Sequence, residues 1–268
     1  MQHLEGFLGK IYPSIQEQIK NAQSEVLLDE MKRRVANRTL PLVDVTERIV
    51  KRESPVGVIA EIKRASPSLG NISNRNVLSQ VQAYVDGGAA AISVLTEPSH
   101  FKGSLEDLTE LKTAFPHIPF LRKDFIISEY QVYESKAAGA DMLLLITRWL
   151  EDGELQRLYQ LTRELGMHAL VEVETGEDFE RAVNMGAEII GINARNLSDL
   201  TVDVGRVTRL AEVGARLIAP VHDRPIIVGE SGVDSIATVR AWHEAGVDAV
   251  LVGGALMKAE DTSDAALP

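Results

Sequence analysis

Glu61 and Lys63 close the first apolar run of this 268-residue chain, Lys123 the third, Glu172 the fifth, Asn193 and Arg195 the sixth, and Glu230, followed by Ser231, the seventh. Lysine and glutamate side by side form a proton-transfer set, because one can donate where the other accepts. Taken singly, each has a plain structural reading. A lysine at a strand end is usually solvated or half of a salt bridge, and Glu174, two residues past Glu172, leaves open which of the two is rim. Taken together, six ionic groups at one end of one fold would each cost several kcal/mol to bury unless they pair or meet a charged ligand. Alternation along a strand puts Glu61 with Lys63, and Leu121 with Lys123, on a common face. Arg122 and Asp124 then turn the other way, toward the helices, as a structural pair.

A second kind of chemistry is written in glycines. GESGV (Gly229 to Val233) and VGGALM (Val252 to Met257) each place glycine where a strand turns into a helix, so that backbone N–H groups can approach an anion. Glycine is common in any turn. Two such loops in succession, with Arg195 nearby, point to a phosphate.

The elements that must position these groups follow from hydrophobic patterning. From about Gly57 the chain alternates short apolar runs with amphipathic stretches, the pattern of repeated βα units on a parallel sheet. The runs are VGVIAEIK from Val56, AAISVLT from Ala90, IPFLRKDF from Ile118, DMLLLI from Asp141, HALVEV from His168, EIIGIN from Glu188, PIIVGE from Pro225 and DAVLVG from Asp248. The same punctuation, GGAAAI, AGADML, MGAEII and AGVDAV, precedes several of them, and glycine there suits the left-handed turn that ends a helix. Eight regular units in this length fit a closed (β/α)8 TIM barrel better than an open sheet. In such a barrel the C-terminal strand ends, where the ionic residues lie, form the active site, and the last two loops cradle phosphate. Residues 1–55 carry helical patterns around Leu4 to Lys20 and Glu25 to Arg34 and no strong strand run. They read as an N-terminal helical extension packed on a barrel of residues 56–268, together one domain.

Composition removes whole classes of function. The chain is 45% hydrophobic and 25% charged and has no cysteine, which excludes disulfides, thiolate metal sites and cysteine nucleophiles. A net charge of −11 is unsuited to a broad nucleic-acid surface, so no nucleic-acid partner is expected. No run approaches membrane-spanning length, and the N-terminal stretch has no signal-peptide core. A cytoplasmic protein without a membrane partner is the expectation.

The runs VIAEIKRASPSLG, ISVLTEPSHFKGSLEDL, FLRKDFIISEYQVYESKAAGADMLLLI, ALVEVET, GINARNL and GESGV closely resemble those of indole-3-glycerol phosphate synthases, in order from about Val58 to Met257. EIKRASPS and LRKDFI are the specific signatures; neighbouring phosphosugar barrels share only the phosphate loops. The resemblance implies ring closure, decarboxylation and dehydration of 1-(2-carboxyphenylamino)-1-deoxyribulose 5-phosphate, a step of tryptophan biosynthesis, with no metal and no cofactor. By the same resemblance Lys123 is the general acid and Glu172 the base. Lys63 binds substrate and is the alternative acid for dehydration, and the choice between it and Lys123 stays open. Glu61 orients and charge-balances the lysines, and Asn193 and Glu230 hold substrate hydroxyls. Two lysines in one pocket are expected to lower each other's pKa.

Ser66, Phe101, Phe125 and Leu144 then line the anthranilate side, and Arg195, Ser231, Gly232, Gly253 and Gly254 the phosphate side, joined by Lys63. Two positions depart from the family pattern: Leu69 stands where a lysine is common, and Gly254 where serine or glutamate is common. The expected partner is the small phosphorylated substrate, and the expected state a monomer, open to association with other enzymes of the tryptophan pathway. Two rival readings are weaker. An isomerase of the neighbouring tryptophan or histidine steps would lack the Lys63, Lys123 and Glu172 set, and a noncatalytic phosphosugar-binding barrel would have no reason to keep every ionic position.

Overall fold

The computed structural model describes residues 6–50, 54–62, 77–217 and 224–256 in full, and the backbone of 65–66, 70–71, 218 and 257–258. Eight parallel strands close into a barrel: β1 (Gly57–Ile62), β2 (Ala91–Leu95), β3 (Phe120–Lys123), β4 (Met142–Ile146), β5 (His168–Val173), β6 (Ile189–Asn193), β7 (Ile226–Glu230) and β8 (Ala249–Val252). Each pairs with its neighbours in sequence, and β8 pairs with β1 through Gly57↔Ala249 to Ala60↔Val252. The fold class is therefore the one that patterning and the repeat imply. All eight strands fall inside the runs named above, β5 filling its run and the others a residue or more shorter.

Between the strands lie α4 (Val77–Asp86), α6 (Leu105–Ala114), α7 (Glu129–Ala138), α8 (Asp152–Glu164), α9 (Gly176–Asn184), α10 (Val204–Ile218) and α11 (Ile236–Glu244), with short α5 (Pro98–Phe101) after β2 and α12 (Gly254–Lys258) after β8. Side chains start several of them. Ser104, Ser128 and Ser235 accept N–H bonds from residues three further on, and Thr175 forms a capping box with Asp178, each satisfying helix donors that have no partner within the helix. The recurrent glycines end them. Gly88, Gly139, Gly186 and Gly246 all have positive φ, and in each case the next residue donates its N–H back five residues, as in Ala140 N–H to the Ser135 carbonyl at 3.0 Å. The aspartates of AGADML and AGVDAV then accept an N–H from the preceding strand, Asp141 from Phe120 and Asp248 from Ile227, both at 2.8 Å.

Three helices precede β1: α1 (Gly6–Glu25), α2 (Leu28–Ala36) and α3 (Val45–Val50). Patterning located the first two; α3 is too short to show a period, yet Val45 and Ile49 are fully buried. Leu8, Ile11 and Ile15 of α1 join the same apolar core as the barrel strands. Further ties are the Tyr130 hydroxyl to the Ala22 carbonyl at 3.0 Å and Gln18 Nε2 to Glu97 at 3.3 Å, across to α5. A two-residue hairpin, Ala65–Ser66 with Gly70–Asn71, lies in the loop after β1, where no alternation long enough to announce a strand exists.

Candidate active site

At the C-terminal ends of the strands a cavity of about 510 Å³ opens. Every sequence-derived site residue whose side chain is described lines it: Glu61, Phe101, Lys123, Phe125, Leu144, Glu172, Asn193, Arg195, Glu230, Ser231, Gly232, Gly253 and Gly254. Lys63, the side chain of Ser66, and Leu69 lie outside the described residues.

The floor is ionic. Lys123 Nζ donates to Glu172 Oε2 at 3.1 Å and makes a short contact with Glu230 Oε2. Glu230 is 1% exposed, Glu172 2% and Glu61 7%. Burial opposes the Lys123 charge, but Glu230, Glu172 and Glu61 outweigh it, and the net shift of its pKa is upward. For Lys123 this corrects the expectation of a lowered lysine: among the described residues three carboxylates on three strands dominate its surroundings, while Lys63 lies outside the described residues. Burial, with the further repulsion of Glu172 and Glu61 and against the pull of Lys123, pushes Glu230 up to about 8. Glu230 thus holds its proton to near neutrality. Oε1 of Glu172 and Oε1 of Glu230 are buried and reach no donor among the described residues.

The choice between Glu172 and Glu174 is settled by geometry. Glu174 accepts the Leu197 N–H at 3.1 Å and Arg148 Nη1 at 2.9 Å, so it ties the loop after β6 to the end of β5, and Glu172 is the one that meets Lys123. Arg122 and Asp124 form the structural pair at 2.9 Å, with Glu134 as a second partner of Arg122 at 2.8 Å. Asp124 also borders the cavity, but its oxygens are taken by Arg122, the Thr96 hydroxyl at 2.6 Å and the Phe125 N–H at 2.8 Å.

One wall is aromatic. Phe101 and Phe125 have ring centroids 6.3 Å apart, and Trp149 packs on Phe125 at 4.7 Å. Phe7 of α1 completes it, 6.5 Å from Phe101 and 6.3 Å from Phe125. Sequence reasoning missed Phe7. Its only local signal is the preceding glycine: Gly6 has φ +67°, and a Cβ there would overlap the Ser198 backbone, so the chain is pressed onto the loop after β6 just where Phe7 enters.

The opposite wall is cationic and rich in N–H groups. Arg195 donates its own N–H to Asn193 Oδ1 at 2.9 Å and Nη1 to the Leu200 carbonyl at 2.8 Å. That fixes the guanidinium at the rim and leaves the Asn193 amide NH2 as a donor. Ser231 (φ +63°) and Gly232 (φ +77°) are consecutive left-handed residues, the first of them strained for a residue with a side chain. A Cβ at Gly232 would come within 2.7 Å of Val204 and 2.8 Å of Val202. Gly254, by contrast, has open space around it, so its departure from serine or glutamate concerns chemistry and not fit.

Comparison with known proteins gives the family. The family model for indole-3-glycerol phosphate synthase matches residues 8–267. A protein of that name from Mycobacterium sp. (strain KMS) is 44% identical over 259 residues, covering 96% of this chain and 91% of its own. One from Micrococcus luteus is 47% identical over 210 residues, covering 77% and 75%. Among solved structures, thiamine phosphate pyrophosphorylase from Pyrococcus furiosus aligns with a TM-score of 0.54 at 18% identity, over 79% of this chain and 92% of that one. N-acetylmannosamine-6-phosphate 2-epimerase from Clostridium perfringens aligns at 0.56 and 16%, over 74% and 86%; at such identity these two attest the barrel alone. With the match running through nearly the whole chain, the chain belongs to the indole-3-glycerol phosphate synthase family.

Proposed function

We propose that the cavity at the C-terminal end of this barrel closes the indole ring with Lys123 as the general acid. The reaction of the family converts 1-(2-carboxyphenylamino)-1-deoxyribulose 5-phosphate to indole-3-glycerol phosphate, carbon dioxide and water. The observation that carries the assignment is the position of Lys123, whose ammonium is held at the cavity floor by Glu172 and Glu230 between an aromatic wall and an anion-binding one.

The aromatic carbon bearing the carboxylate attacks the ribulose carbonyl, whose oxygen gathers negative charge. Lys123 donates a proton to it, and a charged donor in a dry site stabilises that oxygen far more than water would. The carboxylate leaves as carbon dioxide and the ring regains aromaticity. The new hydroxyl then departs as water, which takes one acid and one base. Glu172 is the base, with an oxygen that reaches no donor among the described residues, and either Lys123 or Lys63 is the acid. Glu61 balances the charge of the lysines. Asn193, through its NH2 group, and Glu230 hold the sugar hydroxyls.

Phe101, Phe125 and Leu144, joined by Ser66, take the anthranilate ring. Arg195, Ser231 and Gly232, with the N–H groups of Gly253 and Gly254 at the start of α12, take the phosphate, and Lys63 reaches the same group. Gripping the phosphate far from the reacting carbons supplies binding energy for orientation. All of these steps are proton transfers and carbon–carbon chemistry that acids and bases can serve, so we place the reaction in a cytoplasmic monomer without metal or cofactor, free to associate with other enzymes of the tryptophan pathway. Among the described residues no helix is long and apolar enough to cross a membrane.

Purified protein without added metal should convert the substrate with a rise in indole fluorescence. Absence of turnover by folded protein sinks the assignment.

A further inference from the structure

β6 carries a glycine in mid-strand, where glycine weakens a sheet and marks a close approach. Gly191 stands in register with Glu172 on one side and Val228 on the other, two residues before Asn193 and on the same inward face. Its backbone is not left-handed, so no turn requires it. A Cβ at this position would overlap Oε1 of Glu230 and lie 3.2 Å from its Cδ; Leu170 Cδ1 follows at 3.1 Å. No backbone atom is among these neighbours. The volume a side chain would take is filled by one carboxylate.

We propose that Gly191 is a positioning residue of the proton-transfer site: its missing side chain forms the slot that seats the Glu230 carboxylate on Lys123 and away from water. The inference rests on the roles given above to Lys123 and Glu230. In the slot Oε2 meets Lys123 while Oε1 lies against Gly191 and reaches no donor among the described residues. A carboxylate with one undonated, buried oxygen keeps its proton more readily than a hydrated one, in line with the raised pKa of Glu230. Among the described residues the charged groups that act on it are Lys123 of β3, Glu172 of β5 and Glu61 of β1, with Arg195 just beyond β6 lining the same cavity; β8 brings no titratable group.

Since the main obstacle to a methyl group is the mobile end of Glu230, Gly191→Ala should fold and expel that carboxylate from its slot. The experiment is a double-mutant cycle of Gly191→Ala with Glu230→Ala, reading kcat, KM, the pH–rate profile and the melting temperature. In the wild-type background Gly191→Ala should lower kcat by roughly 10- to 10²-fold, the scale of an ångström of misplacement, and raise KM as well, since Glu230 also holds the sugar hydroxyls. The limb of the profile set by Glu230 should move to lower pH. In the Glu230→Ala background, where nothing occupies the slot, the same substitution should cost neither further kcat nor melting temperature. Equal losses in both backgrounds overturn the inference, as does a fall in kcat with an unmoved profile. Titration of the Glu230 carboxyl carbon by NMR gives a readout that needs no turnover. It should titrate at lower pH in Gly191→Ala than in wild type, and an unchanged titration refutes the slot even if the proposed reaction fails.

Discussion

At the scale of single residues, the site separates groups that act in the transition state from groups that hold substrate throughout. Lys123→Ala removes the acid that meets a developing oxyanion, and kcat should fall by about 10²–10⁴-fold, the usual worth of a positioned proton donor. Arg195→Ala removes a contact made equally before and during the reaction, so KM should rise with kcat nearly kept. Steady-state kinetics of both variants at saturation checks this, and an equal collapse of kcat would contradict the roles assigned. Glu230 gives a pH prediction. Its pKa is raised from an ordinary 4.5 to about 8, so the folded state holds that proton more tightly than the unfolded one. The stabilisation this gives is complete below about 4.5 and is lost as pH rises through 8. Wild-type protein should therefore lose melting temperature relative to Glu230→Gln between pH 5.5 and 8.5; a difference that stays constant would refute the shift. The identities of these residues were legible in the sequence because each ends an apolar run. Their charge states were not, because a pKa is set by neighbours on three other strands.

At the scale of elements, short polar ties fix where the loops stand. Glu174 holds the Leu197 N–H, and with it the loop whose Arg195 and Leu200 border the cavity. Glu174→Ala should loosen that loop and raise KM by roughly the 1–3 kcal/mol cost of an unmet buried hydrogen bond, with kcat less affected; substrate titration measures it, and an unchanged KM would count against the anchor. On the other wall, α1 brings Phe7 to the aromatic cluster. Its amphipathic pattern marks a helix that packs on something, but the period is the same whichever surface it covers. That α1 runs to the mouth of the cavity is decided by Gly6 against Ser198 and by Gln18 on α5, contacts some eighty to two hundred residues away in sequence.

For the molecule as a whole, the end of the barrel opposite the cavity carries stability. Lys112 and Asp141 are wholly buried and meet at 2.8 Å, and Asp141 also takes N–H bonds from Val43 and Phe120, joining the N-terminal extension to α6, β3 and β4. Lys112→Met strands a buried carboxylate at a cost of about 3–5 kcal/mol. The melting temperature should drop by on the order of 10 °C while kcat at 25 °C holds; calorimetry and the fluorescence assay read both, and a lost kcat would show the two ends to be coupled. By itself, the sequence determined the count of strands, the punctuation between them, the ionic ends of the runs and the two glycine loops, since periodicity, helix-ending glycine and strand alternation are local properties of a chain. Only the tertiary structure decided that Glu172 and not Glu174 faces Lys123, that three carboxylates surround its ammonium, that Phe7 closes the aromatic wall, and that an absent side chain at Gly191 makes room for Glu230. Each of those depends on which residues folding brings together from separate elements, and distance in space between such residues is not encoded in their spacing along the chain.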